Sequence, residues 1–322
     1  MPESINAAEG ILPPMGIILI RYGELALKSR PVRLRFERAL MRNIEELFLR
    51  ERAECIISRE WGRILAHVGD EKQAAMILSR VFGITSFSPA LECGSGMEQV
   101  ANATAERSRD VLRRGQSFAI RARRTGSHNY TSQQLAAVVG AAVLEANRGK
   151  DIRVDLSDPD AELFVEVRQN RAFIFLEKLP GPGGLPAGTQ GRVVALLDGE
   201  NGAAAAWMMM KRGCRIIAVA GEPASRGTGE PVGGAAGAAL EMLRPWAPGL
   251  TLHEIADSSM DGLAGFARRR RAEAIVLGRT YDELERTIPV AGMPVLLPLC
   301  ALSEEEMSSL VTKIKGSAAP AR

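Results

Sequence analysis

The chain of 322 residues is long enough for two or three domains with sizeable cores, and 46% hydrophobic with 25% charged residues is the make-up of a globular protein. A net charge of +3 is too small to mark a nucleic-acid binder by itself; the first 190 residues hold 26 Lys and Arg against 23 Asp and Glu, and the rest hold 15 against 15. Cys55, Cys93, Cys214 and Cys300 stand far apart without a CxxC pair, which suggests neither a disulfide framework nor a zinc site and fits a reducing cytoplasm.

The opening MPESINAAEGILPPMG has no basic region followed by an apolar run of signal length, and no apolar stretch approaches about 18 residues. The expectation is a cytoplasmic protein that does not span a membrane, with residues 1–15 as a flexible extension. GIILI (16–20) then reads as a strand. Residues 32–51 carry Leu34, Leu40, Ile44 and Leu47 at helical spacing, GRILAHV (62–68) is a strand, 72–81 a short helix and 84–91 a further strand. The order strand, helix, two strands, helix, strand predicts a ferredoxin-like domain over 16–92.

A second α/β unit, 93–180, opens at Gly94–Gly96. It has a helix over 97–114, the strand SFAIRARR (117–124), and a helix over 132–146 capped by the Thr131 and Ser132 hydroxyls. Two alternating strands follow, turning at Gln169 and Asn170. LPGPGGLPAGTQGR supplies a Gly/Pro-rich linker, 181–192. From 193 to 322 the segments RVVALL, CRIIAVAG, TLHEIA, AEAIVLG and MPVLLPL alternate with helices at 203–212, 233–243, 260–270 and 303–314, the pattern of a doubly wound, mostly parallel sheet. Residues 221–234 read as a loop.

The first turn of that sheet, between Leu196–Leu197 and the helix that begins AAAAWMMMK, is where such folds cradle phosphate with backbone N–H groups and hydroxyls. Here it reads Asp198, Gly199, Glu200, Asn201, Gly202, Ala203. Asp198 or Asn201 is expected to cap the helix, and acids near its first turn are favourable by up to about 1 kcal/mol. A triphosphate there meets like charge, at roughly 1 kcal/mol per close pair in water and more when desolvated.

Basic residues gather elsewhere. Arg121 and Arg123 share one strand face, and Arg124, Gly126, His128, Asn129 and Tyr130 follow, combining guanidiniums that pair phosphate with an aromatic able to stack on an unpaired base. The bland alternative is that alternate arginines solvate an outer face. Lys28, Arg33 and Arg35 form either a second basic patch or an ordinary charged helix face, and Arg268–Arg271 favours a helix C-terminal dipole. Cys300 and Cys214 read as small core residues rather than nucleophiles.

At RYGELALKS (21–29), SFAIRARRTGSHNYTS (117–132), GPGGLPAGTQGR (181–192) and the strand, turn and helix that follow, the chain resembles the tRNA 4-thiouridine synthetases, or tRNA sulfurtransferases. The resemblance covers nearly everything after residue 15 and is specific over the first 192 residues. It implies a ferredoxin-like domain, a THUMP RNA-binding domain over 93–180 that recognises the acceptor end of tRNA, and a PP-loop ATP-pyrophosphatase domain over 193–322. That family's phosphate loop reads SGGxDS; of its six positions only Gly199 is kept here. Its downstream His-Phe pair is Ala220–Gly221, and its Gly-Glu-Ser is Gly278–Arg279–Thr280. The resemblance places a persulfide cysteine near residue 322, and the expectation is that no rhodanese-like domain follows. The resulting expectation is a tRNA-binding protein without its own ATP-dependent sulfurtransferase activity and without cofactor or metal. Its partners would be tRNA, and a second copy or a separate tRNA-modifying enzyme. The alternative is an active tRNA sulfurtransferase, or another tRNA-modifying enzyme, using Mg-ATP through an altered loop. A third reading places an uncharged or cationic ligand at the carboxyl ends of the C-terminal sheet.

Overall fold

The computed structural model describes residues 15–23, 29–60, 62–221, 234–286 and 292–316. They divide into two compact units. The first comprises residues up to Arg21 with Ala53–Ala75 and Ser86–Leu179, and the second Tyr22–Arg52, Met76–Thr85 and everything from Pro180 onward. The elements run β1 (Gly16–Tyr22), α1 (Arg30–Arg50), β2 (Cys55–Glu60), β3 (Arg63–Val68), α2 (Glu71–Leu78) and β4 (Ile84–Gly94). This βαββαβ order is the ferredoxin-like pattern read from hydrophobic spacing. There follow α3 (Met97–Val111), β5 (Ser117–Thr125), α4 (Ser132–Ala146), β6 (Arg153–Val154), β7 (Ala161–Arg168), β8 (Arg171–Phe175) and β9 (Leu179–Pro180).

These strands make a nine-stranded sheet in the order β2-β3-β1-β4-β8-β7-β5-β6, with β9 on β4. Period-two alternation gives each strand two different faces. In the first unit Phe118, Ile120, Leu163, Val165, Val167 and Ile174 bury against Val100 of α3 and Leu135, Val139 and Val143 of α4. The other face buries Leu19, Leu65, Phe173 and Phe175 with Phe164 packed beside them. The hairpin β7–β8 turns at Gln169, whose φ of 50° is the left-handed conformation a two-residue turn needs. Thr131 alone caps α4, in a capping box with Gln134; Ser132, expected to share that role, is the first helical residue.

In the second unit β10 (Arg192–Leu196), α5 (Glu200–Lys211), β11 (Arg215–Gly221), α6 (Gly234–Leu243), β12 (Leu252–Ile255), α7 (Met260–Arg269), β13 (Ala274–Val276), β14 (Val295–Leu296) and α8 (Glu304–Gly316) alternate. Every strand pair is parallel and the order is β12-β11-β10-β13-β14, the doubly wound topology. Val193 and Ala195 face a core shared with α5, α6 and α8, while Val194 faces one shared with α7. Burial on both sides explains why RVVAL shows no polar alternation. The loop expected over 221–234 lies, from 222 to 233, outside the described residues. So do residues 1–14 and Lys28.

Helix α5 starts at Glu200, three residues before the expected Ala203, and its cap position is Gly199, with no side-chain cap. Neither Asp198 nor Asn201 is therefore the cap. Gly199 has φ 131°, a backbone that side-chain-bearing residues rarely adopt, so the turn puts Asp198 one position before the cap and Asn201 inside the first turn.

Candidate nucleic-acid interface

On one sheet face of the first unit, the strand ends carry charge where the centre carries Phe and Leu. Arg21 ends β1, Arg63 opens β3, Arg121 and Arg123 alternate on β5, and Glu162, Phe164, Glu166 and Arg168 alternate on β7. Arg21, Arg63, Arg121, Arg123 and Lys178 line an open cleft of about 690 Å³ together with Glu162, Glu166, Phe164 and Phe175. Five cations thus meet two carboxylates. The two Phe rings stack at 5.1 Å, with the Arg21 guanidinium 4.6 Å from the centre of Phe175 and the Lys178 ammonium 3.9 Å from that of Phe164. Ser132 and Gln133, in the first turn of α4, line the cleft too and bring the positive end of a 15-residue helix to it.

Three arginines share Glu166. Its carboxylate lies 2.8 Å from Arg168, 3.0 Å from Arg63 and 3.9 Å from Arg21, and its side chain is only 7% exposed. Burial lowers the Arg21 pKa to about 10; Glu166 opposes that shift, and Arg63, Arg123 and Arg168 reinforce it. Lys178 is lowered by burial and by Arg21 and Arg123. Arg171, on β8 in the same sheet, shows the opposite balance. It pairs with both Glu60 and Glu92, and its pKa is raised, chiefly by the hydrogen bond to Glu92. The cleft therefore holds surplus positive charge that its own carboxylates do not neutralise, and an anion is the ligand such a site stabilises.

Of the residues picked out from sequence, Arg121 and Arg123 enter the cleft, Arg121 bonded to Glu162 at 2.5 Å and to the Leu156 carbonyl at 3.1 Å. Arg124 donates to the Gly126 carbonyl at 3.3 Å and does not line it. Tyr130 is the clearest correction. It is 6% exposed, part of the α3–α4 core, and its hydroxyl donates to the Ser95 carbonyl, so it offers no face to a base. An aromatic in a polar loop reads as a stacking platform; packing decided otherwise. His128 hydrogen-bonds the Gln169 carbonyl through Nε2 at 2.7 Å and leans on Tyr130, holding the loop to the β7–β8 turn. On α1, in the second unit, Arg33 lies 3.8 Å from Glu37, which also accepts the Tyr22 hydroxyl, and Arg35 is exposed above Phe36. Sequence reading missed Arg21, Arg63 and Lys178, each isolated in the chain. The available signal was β7, where charge at 162, 166 and 168 alternates with Leu163, Val165 and Val167.

The turn after β10 has the opposite sign. Asp198 lies 3.9 Å from Arg279, and burial raises its pKa. Arg279 also reaches Glu283 at 3.9 Å, and Glu200 pairs with Lys315. Gly202 is buried, and a Cβ on Gly278 would collide with the Asn201–Gly202 backbone, so the strand, turn and helix pack tightly. This tightly packed turn carries carboxylates at 198 and 200. Cys214 is buried with its thiol pKa raised by burial, an inert setting, and all four cysteines are free thiols.

Residues 17–88 match the ThiI ferredoxin-like domain family and residues 96–177 the THUMP domain family. A protein of Methanosarcina acetivorans named a probable tRNA sulfurtransferase is 42% identical over 221 residues, which cover 67% of this chain and 53% of that protein. The chain belongs to the tRNA sulfurtransferase family. A second member of that family, similarly named in Methanothermobacter thermautotrophicus, is 43% identical over 209 residues, 63% of this chain and 52% of the relative. The chain spans about half the length of these curated relatives. The crystal structure of PH1313 from Pyrococcus horikoshii OT3 superposes with a TM-score of 0.77 at 31% identity, covering 94% of this chain and all of that one. A 4-thiouridine synthetase crystallised with RNA and ATP shares the fold, with a TM-score of 0.73 at 24% identity over 94% of this chain and 86% of that one. Among the described residues, no helix is long and apolar enough to cross a membrane.

Proposed function

We propose that this family member is a tRNA-binding protein that holds the acceptor end of tRNA in the arginine cleft of its first unit and does not itself carry out ATP-dependent sulfur transfer. The observation that carries the reading is the surplus of Arg21, Arg63, Arg121, Arg123 and Lys178 over Glu162 and Glu166; all but Lys178, one residue beyond, lie within the segments matched by the ThiI ferredoxin-like and THUMP domain families. Guanidiniums pair backbone phosphate, and the Phe164–Phe175 pair gives an apolar floor beside them. The turn at Asp198 and Glu200 serves as a structural joint, with tRNA modification left to a separate enzyme.

The second reading, an active tRNA sulfurtransferase using Mg-ATP, is favoured by the relatives' names, by Gly199 and by the close packing of Gly278 on the turn. Equilibrium binding of intact tRNA and of tRNA trimmed at its 3′ end, each with and without Mg-ATP, separates the two. The proposal expects binding that needs the 3′ end and ignores ATP. AMP and pyrophosphate appearing only when tRNA is present would establish the enzyme instead, and equal affinity for any RNA of that length would remove the acceptor-end assignment.

A further inference from the structure

A second cation-rich cavity lies wholly in the second unit, at the end of α5 remote from Asp198. It has a volume of about 710 Å³ and is bounded by Lys211, Arg212 and Lys313, with Leu185, Met208 and Trp207 as apolar wall. The ammonium groups of Lys211 and Lys313 come within 5.6 and 5.8 Å of the centre of the same Trp207 ring. Burial lowers the Lys211 pKa, and Lys313 and Arg212 lower it further; no carboxylate is among the causes.

Lysines in the last turn of a helix ordinarily serve its C-terminal carbonyls. That role is already filled. The Met208, Met209, Met210 and Lys211 carbonyls accept backbone N–H groups from Arg212, Cys214, Gly213 and Leu185 respectively. The Leu185 contact is fixed by Gly184, at φ 76°, where a Cβ would collide with the Lys211 carbonyl. The linker thus closes the helix end. Of the two acids at the rim, Glu306 is engaged with the Ser303 backbone N–H at 2.9 Å. The Trp207 indole N–H is buried without a hydrogen-bond partner among the described residues.

We propose that the cavity bounded by Lys211, Arg212, Lys313 and Trp207 is a phosphate-binding site, independent of the arginine cleft and of the turn at Asp198. Three cations at one mouth suit a compact polyanion, supplied either by a free nucleotide or by an RNA backbone phosphate.

Calorimetric titration of the full chain with inorganic pyrophosphate, ADP and a short single-stranded RNA tests it, comparing wild type, Lys211→Gln with Lys313→Gln, and Arg121→Ala with Arg123→Ala. The expected result is a saturable event weakened at least about tenfold in the lysine double variant, whereas the arginine variant, altered in the proposed RNA cleft, loses only a separate RNA-binding event. Loss confined to pyrophosphate and ADP assigns the phosphate to a free nucleotide, and loss confined to RNA assigns it to a backbone. The single change at exposed Lys313, Lys313→Gln, is expected to weaken the same event several-fold and guards against a misfolded double variant. Wild-type behaviour of both lysine variants toward all three probes overturns the site.

Discussion

The arginine cleft and the turn after β10 lie in different units and answer opposite electrostatic questions. In the cleft three arginines crowd one 7%-exposed carboxylate, and Arg21 is held at a pKa near 10 because burial and its neighbours disfavour its charge. At the turn Asp198, its side chain 34% exposed, faces Arg279 at 3.9 Å, and Glu200 pairs with Lys315. One site stores uncompensated charge, at a cost to folding, and the other has spent its charge internally. A surplus that the fold does not need is the mark of a ligand that brings the missing charge.

The largest expected effect follows from removing that surplus. Arg121→Ala with Arg123→Ala should weaken tRNA binding at least several-fold and reduce the slope of log affinity against log salt by about 1.4, at roughly 0.7 per single-strand phosphate contact. Unchanged affinity and slope would move the interface elsewhere. Arg21→Met sharpens the contrast further: RNA affinity should fall several-fold while thermal stability holds or rises, because a disfavoured buried cation is gone and Glu166 keeps Arg63 and Arg168. A drop of many degrees in Tm would mean that Arg21 is structural.

Tyr130→Phe should leave RNA affinity untouched and cost about 1 kcal/mol in denaturant unfolding, the usual worth of a buried hydroxyl bond such as that to Ser95. Weaker RNA binding with unchanged stability would return Tyr130 to the interface. The smallest effect concerns pH. Asp198 has a folded pKa raised above its unfolded value, so its contribution to stability is fully present below the unfolded value near 3.8 and is lost as pH rises through the folded one. Asp198→Asn should therefore gain on the wild type as pH climbs from below 4 toward neutrality; a difference that does not vary with pH would show that Asp198 is not desolvated.

Much of the architecture was legible along the chain because it rests on local rules. The hydrophobic spacing of Leu40, Ile44 and Leu47, the two-residue turn at Gln169–Asn170, the Thr131 capping box and the unbroken apolar run of β10 each signal their element without tertiary help. The acids Asp198 and Glu200 between Leu197 and Ala203 were likewise plain in the sequence, because they depend on residue identity in a turn whose flanks are unmistakable. The position of the helix start was not, since Gly199 can adopt a backbone that lets α5 begin early and leave Asp198 uncapping.

What the sequence determined by itself was the order of elements, the family, and the sign of charge at each turn. Which side chains meet was decided only in three dimensions. Arg21, Arg63, Arg121 and Lys178 lie up to 157 positions apart in the chain, and a nine-stranded sheet with non-sequential strand order brings them to one cleft. Tyr130 and Arg123, seven residues apart in one basic segment, were separated into core and surface by the same packing. Charge balance is a sum over neighbours in space, and strand order, which no local pattern encodes, chooses the neighbours.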